Sequence, residues 1–371
     1  MKGTKRASTV AIASIGGASV TVGLAHFDGT RVELFDSEHR ALPLSERSSE
    51  HTGAALKQLL IDAAGALIQR ARARGVSAPP QRLYCVFRAP WMHGEVVRVS
   101  VDLDQDEIVT EAMLTKLARQ ALAGSRFAND HTEAHVVEVA LNGYPTTRPE
   151  GKRAREVALT ALISRSDRAV HAGVREALEN IFPMSRPTVR SGTRSLLEAI
   201  QRARPDLSNY VALDITEEGT LAFLVTAGAL RRQIHAPEGI RALFTAVSGA
   251  STANDSRTLF SLAARLEGSP STKEQLLSTL RASKESELTV SYGEMFAALD
   301  TIDRLPETLF LVTDPDVAEW FARFFSRADF AQHTVTLRPF QVGVLSLTAS
   351  SGSHRALSLA LPLINKEMRG E

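Results

Sequence analysis

The sequence lacks the features that mark secreted, disulfide-linked or membrane-spanning chains. Cys85 is its single cysteine, so an internal disulfide is excluded. No run reaches the 18 apolar residues of a membrane-spanning helix, since the most apolar stretch, 342–363, is interrupted by Ser, Gly, His, Arg and Pro. The start of the chain shows no secretory apolar region. These absences predict a cytoplasmic protein that does not itself cross a membrane.

The chain also lacks an excess of charge of either sign. Its 43 Lys and Arg residues almost cancel its 42 Asp and Glu residues, so no global field attracts nucleic acid or an anionic membrane. We therefore expect no nucleic-acid partner. With 371 residues, of which 44% are hydrophobic, the chain exceeds the length at which one core usually keeps growing. Two or more domains are expected.

Two similar segments about 200 residues apart are the most informative motifs. Residues 10–24 and 210–225 each consist of an apolar strand, a short turn and a second apolar strand, which indicates a β-hairpin. The first turn reads Ser-Ile-Gly-Gly-Ala-Ser over 14–19, and the second reads Asp-Ile-Thr-Glu-Glu-Gly-Thr over 214–220. Paired hairpins at this separation predict a chain of two similar halves.

Periodicity between the two hairpins predicts helices and a compact unit of its own. Apolar residues recur at helical spacing over 50–74. Residues 82–165 form a predicted β-β-α-β-β unit, whose elements are strands 83–88 and 96–101, a helix 104–122, and strands 134–141 and 157–164. Beyond the second hairpin the pattern predicts helices within 237–305, a buried strand 308–313, a short strand 335–337 and a terminal helix near 357–368.

This order of elements and the two turns resemble the actin-like ATPase superfamily, in its FtsA and PilM branch. The resemblance implies an α/β, actin-like (ribonuclease H-like) two-lobed fold with a small α+β subdomain inserted in the first lobe. The implied domains are a first lobe of 1–81, completed by 166–205 and the C-terminal segment 341–371, an inserted subdomain of 82–165 and a second lobe of 206–340.

The same resemblance implies where a nucleotide would bind. In the family, the two hairpin turns hold phosphates through backbone N–H groups, and an Asp helps to organise magnesium. The corresponding residues of this chain are Ser14, Gly16, Gly17, Ser19, Asp214, Gly219, Thr220 and Gly239. If the site were active, Asp214 would be its catalytic residue, and ATP and Mg would be its cofactors.

The chain departs from the family pattern at each nucleotide element. Ser14 stands where the first turn carries an acid, and Thr21 stands where a Lys is common. Glu217 and Glu218 lie in the second turn, where their charges would repel a polyphosphate. After the strand 308–313, Asp-Pro-Asp replaces a Gly pair. These losses predict a pseudo-ATPase without a cofactor.

Purely structural interpretations of these residues remain open. The pair Gly16 and Gly17 is equally compatible with a tight hairpin that binds nothing. Asp214 ends a strand, where a turn or cap role is common. His131 and His135 share an i, i+4 spacing without the Glu of a zinc-protease helix, so no metal site is predicted.

Two classes of function follow from the resemblance. The first is a cytoplasmic scaffold of a type IV pilus-type assembly system, held at the inner face of the membrane by the cytoplasmic tail of an inner-membrane protein. That tail would bind beside the inserted subdomain, near strands 83–87 and 136–141, and self-association is possible. The alternative is an FtsA-like cell-division membrane anchor or an active, nucleotide-dependent filament-forming ATPase.

Overall fold

The computed structural model describes residues 8–42, 52–76, 79–243, 272–300, 304–345 and 354–370. Over 272–283 it describes the backbone only. Fourteen strands in these ranges form three sheets. The strands are β1 Ser8–Ile15, β2 Ser19–Phe27, β3 Val32–Ala41, β4 Arg82–Phe87, β5 Met92–Ile108, β6 Glu133–Leu141, β7 Tyr144–Pro145, β8 Arg153–Ser166, β9 Pro187–Ser191, β10 Tyr210–Ile215, β11 Thr220–Thr226, β12 Ala229–Ala236, β13 Thr308–Val312 and β14 Gln341–Val344.

Seven α-helices and one 3-10 helix are fully bounded in the described ranges, and residues 240–243 are helical as well. They are α1 Thr52–Ala73, α2 Glu111–Gly124, α3 Arg168–Ile181, α4 Gly192–Ala203, α5 Thr272–Leu299, α6 Pro315–Phe325, the 3-10 helix Ala328–His333 and α7 Arg355–Arg369. None of the helices that the structure describes combines the length and the apolarity needed to cross a bilayer.

Two of the sheets share one plan. The first has the strand order β3-β2-β1-β4-β9, and the second has the order β12-β11-β10-β13-β14. In each, an antiparallel hairpin extends into a third antiparallel strand on one side, and two parallel strands follow on the other. The predicted hairpins are confirmed as β1-β2 and β10-β11. Each hairpin turn lies at the carboxyl end of a central parallel strand, the edge at which ligands bind in open α/β sheets.

Apolar cores lie on both faces of each large sheet. Helices α1 and α3 cover one face of the first sheet through side chains such as Leu60 and Val174, and Leu357 of α7 packs on the other face. Helices α5 and α6 cover the second sheet through an aromatic cluster around Tyr292 and Phe325. Helix α4 joins the two halves, because Ile200 packs in the same core as strands of the second sheet.

The third sheet, of order β5-β8-β6-β7, is the inserted unit. Helix α2 covers one face of it, with Leu117 packed against the apolar side chains of β5 and β8. The opposite face contacts the second lobe, since Val96, Val137 and Leu162 share a core with Leu230 of β12. The inserted unit also touches the first sheet, because the Ser191 N–H of β9 donates to the Glu133 carboxylate of β6 at 2.8 Å.

The structure corrects the sequence-based placement of two strands. The strand Arg82–Phe87, assigned to the inserted subdomain, pairs in parallel with β1 and β9 of the first sheet, so the inserted sheet begins at Met92. Residues 341–344, assigned to the first lobe, pair with β13 in the second sheet. The remaining domain bounds stay a prediction.

Two further elements differ from the prediction. The acidic residues of 104–107 belong to β5, and α2 begins after its N-cap Thr110, whose hydroxyl accepts a hydrogen bond from the Met113 N–H at 3.3 Å. Residues 335–337 form no strand. Helix 272–299 is continuous, and the helical predictions over 244–271 lie outside the described residues.

Candidate functional site

The first turn is closed by bonds within the protein. The Gly16 N–H donates to the carbonyl of Ser19 at 2.8 Å, which completes the hairpin. Both Gly16 and Gly17 are buried, and the indole Nε1–H of Trp91 donates to their carbonyls at 2.7 and 3.1 Å. Ser14 is also buried, at 1% exposure. The predicted phosphate turn thus lies inside the molecule.

The second turn is equally self-contained. The Thr216 N–H donates to the Gly219 carbonyl at 2.9 Å, and the Thr216 hydroxyl donates to the Ala89 carbonyl of the first half at 3.1 Å. The Thr220 hydroxyl lies 2.7 Å from the carbonyl oxygen of Glu238 and 3.1 Å from the hydroxyl of Tyr292. Both side-chain hydroxyls of this turn are therefore engaged within the protein.

Gly239, predicted as a remnant of the family's nucleotide site, packs on the second turn. A Cβ at this position would lie 2.5 Å from both the Glu217 carbonyl oxygen and the Gly219 nitrogen. The following N–H groups, of Ile240 and Arg241, donate to the carbonyls of Thr216 and Glu217 at 2.9 and 3.0 Å. Only glycine allows this close approach of two backbone segments.

The two turns touch each other across the lobes. A Cβ at Gly17 would lie 2.9 Å from the Cβ and 3.0 Å from the nitrogen of Glu218. The Glu218 carboxylate also forms an ion pair with Arg241, with an N–O distance of 2.7 Å. A side chain at position 17 would therefore collide with Glu218, so the first turn needs a glycine here.

Asp214 is bound by an arginine of the other lobe. Arg88, directly after β4, donates through Nε to Oδ2 of Asp214 at 3.0 Å and through Nη2 to Oδ1. Asp214 is 2% exposed, and the Arg88 side chain is 16% exposed. Burial alone would lower the pKa of Arg88, but the attraction of Asp214 outweighs it and raises that pKa.

The backbone and the aliphatic part of the Arg88 side chain also make contacts within the protein. Its N–H donates to the Ile15 carbonyl at 2.9 Å, which continues the β1-β4 pairing. A Cβ at Gly192, the first residue of α4, would lie 3.1 Å from Cγ of Arg88. Arg88 therefore joins the end of β4, the start of α4 and the second turn. The pair with Asp214 is two-pronged, the strongest geometry for an arginine and a carboxylate.

The segment Asp314-Pro315-Asp316 starts a helix. The Asp314 carboxylate caps α6 by accepting from the Asp316 N–H at 3.1 Å, and Pro315 occupies the first helical turn, where no N–H partner is needed. Arg355 lies next to it and donates to the carbonyls of Thr313 and Leu345. Burial and the nearby Arg88 lower the pKa of Arg355.

Arginine and tryptophan are the site residues that sequence reasoning missed. Arg88 appeared only as the last residue of a predicted strand, and Trp91 and Arg355 were not considered. Ser14, Gly16, Gly17, Ser19, Asp214, Gly219, Thr220 and Gly239 do lie in or against the two turns. Within the described ranges, no group of three or more His, Cys, Asp or Glu residues is arranged to hold a metal ion.

Comparison with known proteins supports the architecture. No family model and no curated protein sequence matches the chain. A solved PilM-PilN type IV pilus biogenesis complex matches with a TM-score of 0.60 and 13% identity over 97% of this chain and 98% of that one. The ethanolamine utilization protein EutJ from Carboxydothermus hydrogenoformans matches with a TM-score of 0.47 and 11% identity, over 96% and 89% of the chains.

A third match is a Bacteroides thetaiotaomicron protein with an actin-like ATPase fold and unknown function, with a TM-score of 0.43 and 8% identity over 97% and 98% of the chains. At these identities the likeness concerns the fold and not the activity. The resemblance inferred from the two hairpins is confirmed at that level. The chain has the α/β, two-lobed actin-like fold that it shares with the PilM-PilN structure.

Proposed function

We propose that the protein is a non-hydrolysing actin-like scaffold. The observation that carries this proposal is the buried ion pair of Arg88 and Asp214. A magnesium ion needs carboxylate oxygens or waters in an octahedral shell, and here one guanidinium engages both oxygens of the single Asp retained in the turns. Arg88 then serves as a resident cation in the place of a metal.

The turn geometry supports the same proposal. Phosphate cradles present free backbone N–H groups to the ligand, whereas the N–H groups of Gly16 and Thr216 both donate inside their own hairpins. Glu218 contacts the position of Gly17 and brings a negative charge to the same place. As folded, these residues do not fit a magnesium nucleotide.

We propose further that the scaffold binds the cytoplasmic tail of an inner-membrane protein and is thereby held peripherally at the membrane. The matched structure is a complex of PilM with a second protein, PilN, in type IV pilus biogenesis. That composition supports a partner-binding role for this chain. It also favours the pilus-type system over the cell-division alternative.

The proposed docking groove lies along β9, beside the inserted unit. Strand β9 is the last strand of the first sheet, so its outer edge pairs with no other described strand. Its consecutive residues 187–190 line a groove of about 420 Å³, which Asp130 and Thr132 of the inserted unit border on the other side. Side chains already engage part of this edge, since Arg190 donates to the Val189 carbonyl and the Ser191 N–H donates to Glu133, so a tail would bind through the remaining main-chain groups and the side chains of the groove.

This placement replaces the strands proposed from sequence. Residues 83–87 of β4 lie inside the sheet between β1 and β9 and are buried, so they offer no edge. Strand β6 borders β8 and the short β7. In the groove the Arg168 side chain is 84% exposed, while Asp130 already pairs with Arg165 and Arg168. An acidic residue in the tail is therefore favoured.

Calorimetric titration tests both parts of the proposal. Mg-ATP and Mg-ADP should give no binding heat. A synthetic peptide of the cytoplasmic tail of a candidate inner-membrane partner should bind, and Arg168→Glu should weaken that binding by several fold. Arg119→Glu is the matched control, since Arg119 is exposed on α2 outside the groove. Equal effects of the two variants would place the tail elsewhere.

A further inference from the structure

A second cavity lies on the first lobe, away from the turns and from the β9 groove. It lies between the C-terminal ends of α1 and α3 and has a volume of about 380 Å³. Its walls include the apolar side chains of Ile68, Val76, Ile181 and Phe182. Small-molecule sites are typically mostly apolar cavities of about 300–1,000 Å³. We call this cavity the α1/α3 pocket.

The polar groups of the α1/α3 pocket are few and of one charge. Among the described residues that line it, Arg72 is the single charged side chain, and it is exposed. It forms no ion pair with any residue in the ranges that the structure describes. The hydroxyl of Ser185 is already used, since it donates to the Pro80 carbonyl at 2.6 Å. Asn180 also lines the pocket, so a mainly apolar set of walls carries a few polar side chains and the cation of Arg72.

The mouth of the pocket continues the apolar surface. Met184 is 84% exposed there, although methionine side chains are usually buried. Phe182, two residues earlier, is only 5% exposed. An apolar chain that left the interior would therefore remain in contact with apolar side chains. The shape and the single charge complement a ligand with a long apolar part and one negative end.

We propose that the α1/α3 pocket binds an unbranched aliphatic monocarboxylate, with its chain among the apolar walls and its carboxylate beside Arg72. At about 30 Å³ for each water-sized unit, 380 Å³ holds about a dozen units. A methylene group has a similar size, so the pocket matches a chain of about 10 to 12 carbons. This site is independent of the proposed scaffold function.

Calorimetry with octanoate, decanoate and dodecanoate tests the apolar part. Each pair of added methylenes should tighten binding about 15-fold until the chain fills the pocket. Arg72→Gln should weaken dodecanoate binding by up to about fivefold and leave dodecanol binding unchanged. Arg186→Gln is the control, because Arg186 is exposed nearby in the sequence but does not line the pocket.

Photo-crosslinking locates the ligand without any variant. A dodecanoate carrying a diazirine should label the segment 181–185, and unlabelled decanoate should compete. The proposal is overturned if dodecanoate does not bind saturably, if affinity is independent of chain length, or if the label lies elsewhere. It is also overturned if the protein binds anionic phospholipid vesicles but not free dodecanoate, since the cation would then serve a membrane surface.

Discussion

Removing Arg88 should destabilise the protein far more than removing a more exposed arginine that also pairs with carboxylates. Arg88→Ala leaves the 2% exposed Asp214 carboxylate without its two donors. Breaking a buried ion pair by removing one partner costs about 3–5 kcal/mol. That is a large fraction of the 5–15 kcal/mol by which a typical domain is stable. The variant should also loosen the contact between the lobes.

Arg70 provides the matched comparison. It likewise binds carboxylates, those of Asp36 and Glu38, but its side chain is 37% exposed. Solvent screening limits such a pair to about 1 kcal/mol, so Arg70→Ala should cost that or less. The assay is urea unfolding followed by tryptophan fluorescence, in which Trp91 reports on the first turn because its indole bonds that turn.

A double variant distinguishes the loss of the ion pair from the cost of leaving one charge buried without a partner. Arg88→Met combined with Asp214→Leu removes both charges together, and it should recover most of the stability lost in Arg88→Ala, because no unpaired charge stays buried. The reasoning is refuted if Arg88→Ala costs no more than Arg70→Ala, or if the double variant is less stable than Arg88→Ala.

Three further predictions concern pH and close packing. Burial, with a contribution from His93 and Arg126, lowers the pKa of His235 to about 3. The imidazole therefore stays neutral in the folded state, whereas in the unfolded chain it is protonated below a pH of about 6.5. The free energy of unfolding should therefore fall as the pH decreases from 7, and His235 should account for about 2 kcal/mol of that loss at pH 5. In unfolding experiments at several pH values, His235→Gln should make the free energy of unfolding depend less on pH. Gly239→Ala should lower the melting temperature strongly, because its Cβ would meet two backbone atoms at 2.5 Å, whereas Gly65→Ala, with no atom within 4 Å of its Cβ, should not. Gly94→Ala should lower the melting temperature much less than Gly239→Ala, since its Cβ would meet only the movable amide end of Gln233, at 2.8 Å from Cδ, and adding Gln233→Ala should remove the remaining loss.

Local patterns carried the parts of the fold that could be predicted. The two hairpins were predictable because apolar alternation and the turn glycines act between neighbouring residues. Strand β4 was assigned to the wrong sheet, since an apolar run fits any buried strand and its partners β1 and β9 are distant in sequence. The acidic residues near 104–107 suggested the first turn of a helix, although they belong to β5. The helix begins after its N-cap residue, Thr110.

The candidate site shows the same division. The turn residues were found because their identity is part of a local motif. The partner of Asp214 was not, because Arg88 is 126 positions away and becomes its neighbour only when the two sheets face each other. The contact of Gly17 with Glu218 likewise depends on how the lobes close. The weakened nucleotide site stays a prediction of the sequence, and the Arg88–Asp214 pair supports it as a proposal.

The most direct test of this account is calorimetric titration of the intact protein with Mg-ATP and Mg-ADP, paired with a thermal-shift measurement. The Arg88–Asp214 pair and the touching turns predict no binding heat and no rise in melting temperature. Binding at micromolar affinity, equivalent to about −8 kcal/mol, would contradict the account, because a nucleotide would then have to displace Arg88 and separate the turns.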